Sequence, residues 1–184
     1  MKKVLAIIIC GIIIVSTNAK LFGQLTKQKE IIETVEVDSL SKSELYQNAK
    51  QWILSRFMTS DNIVEFDDEK NETINVTGNI LMDKLKFLQG AMGYFVKTSG
   101  NKITFKLRFD FKEGKFRYTF SNMIYSFDQI GTPNKGYVQN PLYEITDLPK
   151  KKIALVNAEA NEKLSEVISE LKEKVSYNAA NDEW

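Results

Sequence analysis

The feature that most constrains the fold is a stretch of strict alternation on both sides of Glu113-Gly114. Apolar residues occupy every second position in Ile103–Phe111, and the same spacing resumes in Phe116–Phe120. Alternation with period two is typical of strands that have one buried face and one solvated face. Because a Glu-Gly pair suits a two-residue hairpin turn, the spacing also predicts a register in which Asp110 faces Arg117 on the polar side.

The flanking segments predict helices and further strands. Ser41-Lys42-Ser43-Glu44 has the spacing of a capping box, and apolar residues from Leu45 to Phe57 then recur at helical intervals. A second apolar stripe at helical spacing runs from Ile153 to Val175. Strands are expected at Ile31–Val37, on both sides of the polar cluster 67–71, and before a turn at Ser99-Gly100.

This order predicts an α+β fold, in which an antiparallel sheet of about five strands carries two helices packed on one face (β-α-β-β-β-β-α). We expect a single domain over residues 31–177. It is preceded by a linker at 20–30 and followed by a polar tail at 178–184.

The amino terminus predicts a signal peptide. Met1-Lys2-Lys3 leads into an apolar run of twelve residues, Val4–Val15, and small residues up to Ala19 follow. The run is well short of the roughly 20 residues needed to span a bilayer, so we expect cleavage after residue 19, or after 23, and no stable membrane span. Cys10 lies in the middle of the apolar run, and Ile9 precedes it where a lipoprotein has a small residue. Both features argue against a lipoprotein. The predicted location is periplasmic or extracellular.

Composition excludes several function classes. The chain has no His, and Cys10 is its one cysteine, so thiol and imidazole chemistry are excluded from a processed chain. Loss of residues 1–19 removes two of the 25 basic residues, and 23 minus 24 gives a net charge of −1. A nearly neutral exported chain is not expected to bind nucleic acid. The acidic cluster 67–72 lacks the order of an EF-hand, so neither a metal site nor a cofactor is predicted.

Three segments carry a resemblance to a known family. They are Lys42–Tyr46 with Trp52, Asp110–Ser121, and Pro141–Glu144. Together they resemble exported bacterial proteins of unknown function described as having a fold like that of the TATA-box-binding protein. The resemblance covers roughly Glu33 to Glu173 and implies this fold and a setting in the cell envelope. It implies no activity and no site residues, and the fold name does not imply DNA binding.

Two surfaces are candidates for contact with a partner. The segment 128–149 is expected to be a long irregular loop, in which Tyr137, Tyr143 and Asn134 either meet a partner or close the core. Arg108 and Arg117, together with Lys106, Lys115 and Tyr125, are expected to form a basic and aromatic sheet face. We predict no catalytic residue.

The first functional hypothesis is a non-enzymatic envelope domain that binds a protein, a peptide or an envelope polymer, with its oligomeric state left open. The alternative is a hydrolase that uses two carboxylates from Asp67, Asp68, Glu69 or Asp128, since such chemistry needs no His. A third is a small lipid or ligand carrier, with phenylalanines lining a cavity between the sheet and the last helix. A facing acidic pair, an exposed apolar patch or an apolar cavity would distinguish the three.

Overall fold

A computed structural model of the chain describes residues 25–57, 63–68, 73–83, 87–89, 95–130, 137–146 and 148–178, with 63–68, 87–89, 95–99 and 129–130 described for the backbone alone. A 3-10 turn at Leu25–Lys27 precedes the first strand. The elements that follow are β1 (Ile31–Glu36), α1 (Lys42–Phe57), β2 (Ile63–Asp68), β3 (Thr73–Leu81), β4 (Phe87–Gln89), β5 (Phe95–Lys112), β6 (Lys115–Ile130), β7 (Tyr137–Pro141) and α2 (Lys150–Val175).

The described strands form one antiparallel sheet. Its main path has five strands in the order β1-β6-β5-β3-β2, while β4 pairs with β5 and β7 pairs with β6. The predicted α+β class, with two helices on a sheet of about five strands, is therefore confirmed. The short strands β4 and β7 are additions that the sequence pattern did not predict.

The central hairpin has the predicted register. Asp110 lies opposite Arg117, and on the other face Phe109 lies opposite Tyr118. The buried members of this alternation, from Ile103 to Phe120, are between 0% and 5% exposed. The period of two fixes this register, because a slip by one residue would move every aromatic side chain into solvent.

One prediction about this region was wrong. Ser99-Gly100 is not a turn, because β5 runs without interruption from Phe95 to Lys112. Gly100 instead has a φ of 65° at a bulge, where the β5–β6 register shifts between Ser99 and Lys102. Gly adopts the left-handed conformation that both turns and bulges use, so the residue type alone did not distinguish a bulge from a turn.

The segment expected to be irregular is also partly regular. Strand β6 extends to Ile130, and Tyr137–Pro141 forms β7, which pairs with Ile124–Asp128. The prediction of a long irregular loop over 128–149 was therefore wrong at both of these strands. Residues 131–136, including Asn134, lie outside the described part of the chain.

Helix α1 begins at the predicted capping box. The Ser41 backbone N–H donates to Glu44 Oε2 at 2.8 Å, and the Glu44 N–H donates to Ser41 Oγ at 3.3 Å. These bonds satisfy donors that the first helical turn leaves open. The hydrogen bonds from the Ser41 side chain and backbone also lower the pKa of the Glu44 carboxyl.

Both helices pack on the aromatic face of the sheet and share one core with it. Trp52 and Phe57 of α1 lie edge-on to each other, and Phe57 meets Phe105 of β5 with ring centroids 6.0 Å apart. Phe105 in turn contacts Phe120 at 5.0 Å. These rings pack directly against one another between α1 and the sheet.

A glycine makes room for this aromatic packing. Gly78 lies opposite Phe105 in the β3–β5 register. A Cβ added to Gly78 would lie 2.7 Å from the Phe105 ring and 3.3 Å from the Phe57 ring. The ring of Phe105 therefore rests directly on the β3 backbone.

The strand β1 is fixed to the rest of the fold by polar contacts. Glu33 accepts a hydrogen bond from the Tyr118 hydroxyl of β6 and forms an ion pair with Lys172 of α2. Upstream, the side chains of Leu25 and Thr26 are buried, and the Thr26 N–H donates to Asn161 Oδ1 of α2 at 3.1 Å. Packing against α2 thus begins before β1, inside the segment 20–30.

Candidate functional site

On the side of β6 away from β5, two strands lie end to end. Strand β7 pairs with residues 124–128, and β1 pairs with residues 115–120. Both run antiparallel to β6, so together they form one interrupted strand with a break opposite residues 121–123. The pieces come from opposite ends of the chain, which is why no local pattern indicated that they meet.

A β-bulge lies at this break. Asn122 has a φ of 52°, and the β5–β6 register shifts between Thr104 and Lys106. Asn is one of the few residues besides Gly that adopts this left-handed conformation readily. The Met123 carbonyl accepts the Leu142 N–H at 2.9 Å, so the chain that leaves β7 is tied to the bulge.

The break opens into a groove of about 860 Å³ on the face of the sheet away from the helices. We call it the broken-edge groove. It is lined by Lys29, Ile32, Asn122, Gln139, Pro141 and Tyr143, among others. Ile32 is 57% exposed and adds apolar surface to the groove. The groove therefore combines apolar surface with amide groups that donate and accept hydrogen bonds.

Tyr143 is held in place at the rim of the groove. The Lys29 ammonium lies 5.3 Å from the centre of the Tyr143 ring, within the range of a cation–π contact. The ring is nevertheless 37% exposed. An exposed aromatic ring on a positioned segment is a suitable platform for an apolar group or a sugar face.

The second surface of interest is the open face of the central hairpin. Its solvent-facing positions carry six cations, which we call the basic strip: Lys102, Lys106, Arg108 and Lys112 on β5, and Lys115 and Arg117 on β6. They alternate with the buried aromatic and aliphatic residues that face the helices. The same periodicity that builds the core therefore places every one of these charges on one face.

Asp110 joins the two arginines of the strip. Arg108 donates to Asp110 Oδ1 from Nη2 at 2.7 Å and from Nε at 3.0 Å, and Arg117 Nη2 donates to Oδ2 at 3.0 Å. Partial burial would raise the pKa of the Asp110 carboxyl, but the hydrogen bonds and charges of both arginines outweigh it and lower that pKa. Asp110 is thus held as an anion, which is the opposite of a tuned general acid.

The predicted contact residues divide between these surfaces. Tyr143 lies in the broken-edge groove, and Arg108 and Arg117 lie in the basic strip. Tyr137 is 53% exposed on β7 but does not line the groove, and Asn134 lies outside the described residues. Tyr125, expected on the basic face, is fully buried on the core side, so this expectation was wrong. The bulge at Asn122 shifts the alternation and turns Tyr125 inward.

Sequence reasoning missed Ile32, Asn122 and Gln139. A signal for Asn122 was present, because the buried positions 116, 118 and 120 are followed by 123, 125 and 127. This one-residue slip in a period of two, with an Asn at the slip, is typical of a bulge. Ile32 and Gln139 gave no such signal, since their proximity depends on β1 and β7 sharing one edge.

The residues of the hydrolase hypothesis are not brought together in the described structure. Asp128 lies exposed at the far end of β6. The side chains of Asp67 and Asp68 and all of Glu69 lie outside the description. Within the described ranges, no group of three His, Cys, Asp or Glu residues is placed to hold a metal ion.

Comparison with protein families gives a match over more than half of the chain. Residues 32–126 match the model of a domain of unknown function, DUF4468, with TBP-like fold. The chain belongs to the DUF4468 family. The match spans β1 to the middle of β6, and it confirms the resemblance drawn from the sequence.

Solved structures show the same DUF4468 architecture. A TBP-like protein from Parabacteroides distasonis aligns with a TM-score of 0.57 and 15% identity, covering 84% of this chain and 94% of that one. A DUF4468 family protein from Bacteroides ovatus aligns with a TM-score of 0.55 and 11% identity, covering 83% and 89%. At these identities the likeness shows the fold alone. No curated protein matches the sequence.

Neither helix in the described part of the chain is both long and apolar enough to cross a bilayer.

Proposed function

We propose that this DUF4468 protein is a non-enzymatic binding domain of the bacterial cell envelope, and that the broken-edge groove holds its ligand, a protein segment, a peptide or an envelope polymer. The observation that carries the proposal is the groove itself. Its volume of about 860 Å³ lies within the range of about 300–1,000 Å³ typical of ligand sites. Its mixed apolar and amide lining suits a ligand with both characters.

The charge of the groove favours binding over hydrolysis. Glu30 is the one carboxylate among the described residues that line it. Carboxylate-dependent hydrolysis of a glycosidic bond commonly uses two such groups, about 5–10 Å apart across the bond. Lys29, the one lysine in the lining, is placed over the Tyr143 ring rather than beside a nucleophile.

The envelope setting is a proposal from the amino terminus. A basic start, an apolar run and small residues before Lys20 suit cleavage by a signal peptidase. Expression of the full chain in a bacterial host, followed by cell fractionation and amino-terminal sequencing, tests this. We expect the exported form to begin at Lys20 or Gln24, and a cytoplasmic chain that keeps Met1 would contradict it.

The binding function is tested with two exposed tyrosines that differ in position. The immobilised protein is incubated with soluble bacterial envelope fragments, and captured protein and carbohydrate are both quantified. Tyr143→Ala removes the groove ring, whereas Tyr137→Ala removes a more exposed ring outside the groove. We expect capture to fall about tenfold or more only for Tyr143→Ala, since an aromatic anchor commonly contributes that much.

Two results would argue against the proposal. Equal capture by both variants, with folding verified by circular dichroism, would remove the groove from consideration. Release of shortened polymer products with turnover would instead favour the hydrolase alternative.

A further inference from the structure

The open face of the sheet carries a concentration of charge that the groove does not explain. The whole chain has a formal net charge of +1, yet the six cations of the basic strip lie on two adjacent strands. Asp110 is the one carboxylate among the described side chains that the register places within the strip. From the charge of the strip and from the polar residues beside it on β3, we infer that the basic strip binds an acidic polysaccharide that lies along β5. This site is separate from the broken-edge groove.

The end of the strip near the turn is electrostatically unfavourable without an anion. Lys112 lies directly opposite Lys115, and like charges in such a cross-strand pair destabilise a sheet. Together with Asp110, Arg117 and Thr34, these lysines line a hollow of about 280 Å³. Glu36 is the register partner of Lys115 on β1, so two carboxylates, Asp110 and Glu36, border three cations there. A carboxylate or sulfate group of a ligand would relieve the repulsion.

The two arginines in the middle of the strip are held in place before any ligand binds. Asp110 is shared by Arg108 and Arg117, so one negative charge holds two guanidinium groups and leaves an excess of positive charge. The arginine side chains remain 56% and 54% exposed. Each guanidinium has five N–H groups, and those not used by Asp110 can donate to an anionic ligand. Fixing both groups beforehand reduces the entropy lost on binding.

Neutral hydrogen-bonding residues accompany these cations on the next strand. In the β3–β5 register, Asn75 is the partner of Arg108, Thr77 of Lys106 and Thr73 of Asp110. A ligand that lies along β5 would meet cations on one side and amide or hydroxyl groups on the other. That combination matches a chain carrying both acidic groups and hydroxyl groups.

The shape of the strip favours a chain over a bilayer surface. Ten residues separate Lys102 from Lys112, which corresponds to about 34 Å along a strand. A strand pair twists progressively over such a length, so the charges do not lie in one plane. A linear polymer can follow this twist, whereas a flat lipid surface would contact part of the strip.

The test uses protein expressed from the full chain and an oligogalacturonate long enough to span about 34 Å. Binding is measured by isothermal titration calorimetry, with neutral dextran, phosphatidylglycerol vesicles and single-stranded DNA as comparison ligands. We expect the oligogalacturonate to bind most tightly. Its affinity should fall about tenfold or more when the ionic strength rises from about 0.05 M to about 0.5 M, because exposed charge contacts are screened.

Two variants with the same net charge separate position from overall charge. The strip variant neutralises lysines of the strip, and the control neutralises lysines of α2. The strip substitutions are Lys102→Gln, Lys106→Gln, Lys112→Gln and Lys115→Gln, and the control substitutions are Lys150→Gln, Lys151→Gln, Lys163→Gln and Lys174→Gln. We expect about tenfold weaker binding or more for the strip variant alone, given four lost charge contacts.

Three outcomes would overturn the inference. These are no binding of oligogalacturonate, equal loss in both variants, or tighter binding of vesicles or DNA than of the polysaccharide. The groove is tested by capture of envelope fragments in Tyr143→Ala, and the strip by oligogalacturonate binding in the two lysine variants, so failure of one proposal is distinguishable from failure of the other.

Discussion

Gly78 provides a direct test of how the core is packed, through the substitution Gly78→Ala. The residue is buried in the middle of β3, beneath the ring of Phe105. That ring is confined between Phe57 and Phe120, so it cannot move aside freely. We expect the added methyl group to destabilise the protein, although Ala is otherwise better suited to a strand than Gly.

The expected magnitude follows from two opposing terms. The added Cβ would lie 2.7 Å from a ring carbon, where ordinary contact begins at 3.4 Å, an overlap of 3.4 minus 2.7, or 0.7 Å. Overpacking of this kind costs about 1–3 kcal/mol. The gain from replacing Gly in a strand is about 0.5–1 kcal/mol. The central values, about 2 minus about 0.75 kcal/mol, give a net loss of about 1.25 kcal/mol, or a decrease in Tm of about 2–5 °C for a chain of this size.

Thermal and urea unfolding, followed by circular dichroism, measure this loss. A double-mutant cycle with Phe105→Leu identifies its cause, because Leu lacks the ring atoms that meet the new Cβ. In the Phe105→Leu background, we expect Gly78→Ala to be neutral or mildly stabilising. An equal penalty in both backgrounds, or a Tm for Gly78→Ala at or above that of the parent, would refute the packing argument.

Three further outcomes concern polar contacts. Ser41→Ala removes the two hydrogen bonds between Ser41 Oγ and Glu44, although the backbone N–H of residue 41 is kept, and should cost about 1 kcal/mol in the free energy of unfolding, measured by urea titration. Tyr118→Phe removes the hydrogen bond to Glu33 and should cost about 1–2 kcal/mol in the same assay at pH 7. The pKa of Asp110 is lowered from 3.8 on folding, so its contribution to stability is present above pH 3.8 and is lost as the pH falls below it. The stability difference between the parent and Asp110→Asn should therefore shrink at low pH, and a difference that grows on acidification would contradict the assigned ion pair.

Local patterns predicted those parts of the fold that depend on neighbouring residues. The β5–β6 register follows from alternation around a two-residue turn, and the start of α1 follows from Ser41 and Glu44. Both involve residues close in the sequence, where few alternative pairings compete. The order of the elements along the chain predicted the remaining arrangement, with both helices on one face of the sheet.

The broken-edge groove could not be predicted in the same way. Its walls come from β1 and β7, and which edge of β6 they share depends on packing across the whole sheet. Strand β7 is only five residues long and follows a stretch rich in Gly and Pro, so its pattern was too short to recognise. The exposed position of Arg108, by contrast, followed directly from the period of the hairpin.

The contact between Lys29 and Tyr143 joins the segment before β1 to the segment after β7. These residues are separated by 114 positions in the chain, 143 minus 29, yet they border the same groove. A molecule bound there would couple the opening of β1 to the opening of β7, because either movement would release it. At a concentration 100 times its Kd, such a ligand would add about 2.7 kcal/mol to global stability. In hydrogen exchange, the amides of β1 and β7 should then become protected together, as one cooperative unit.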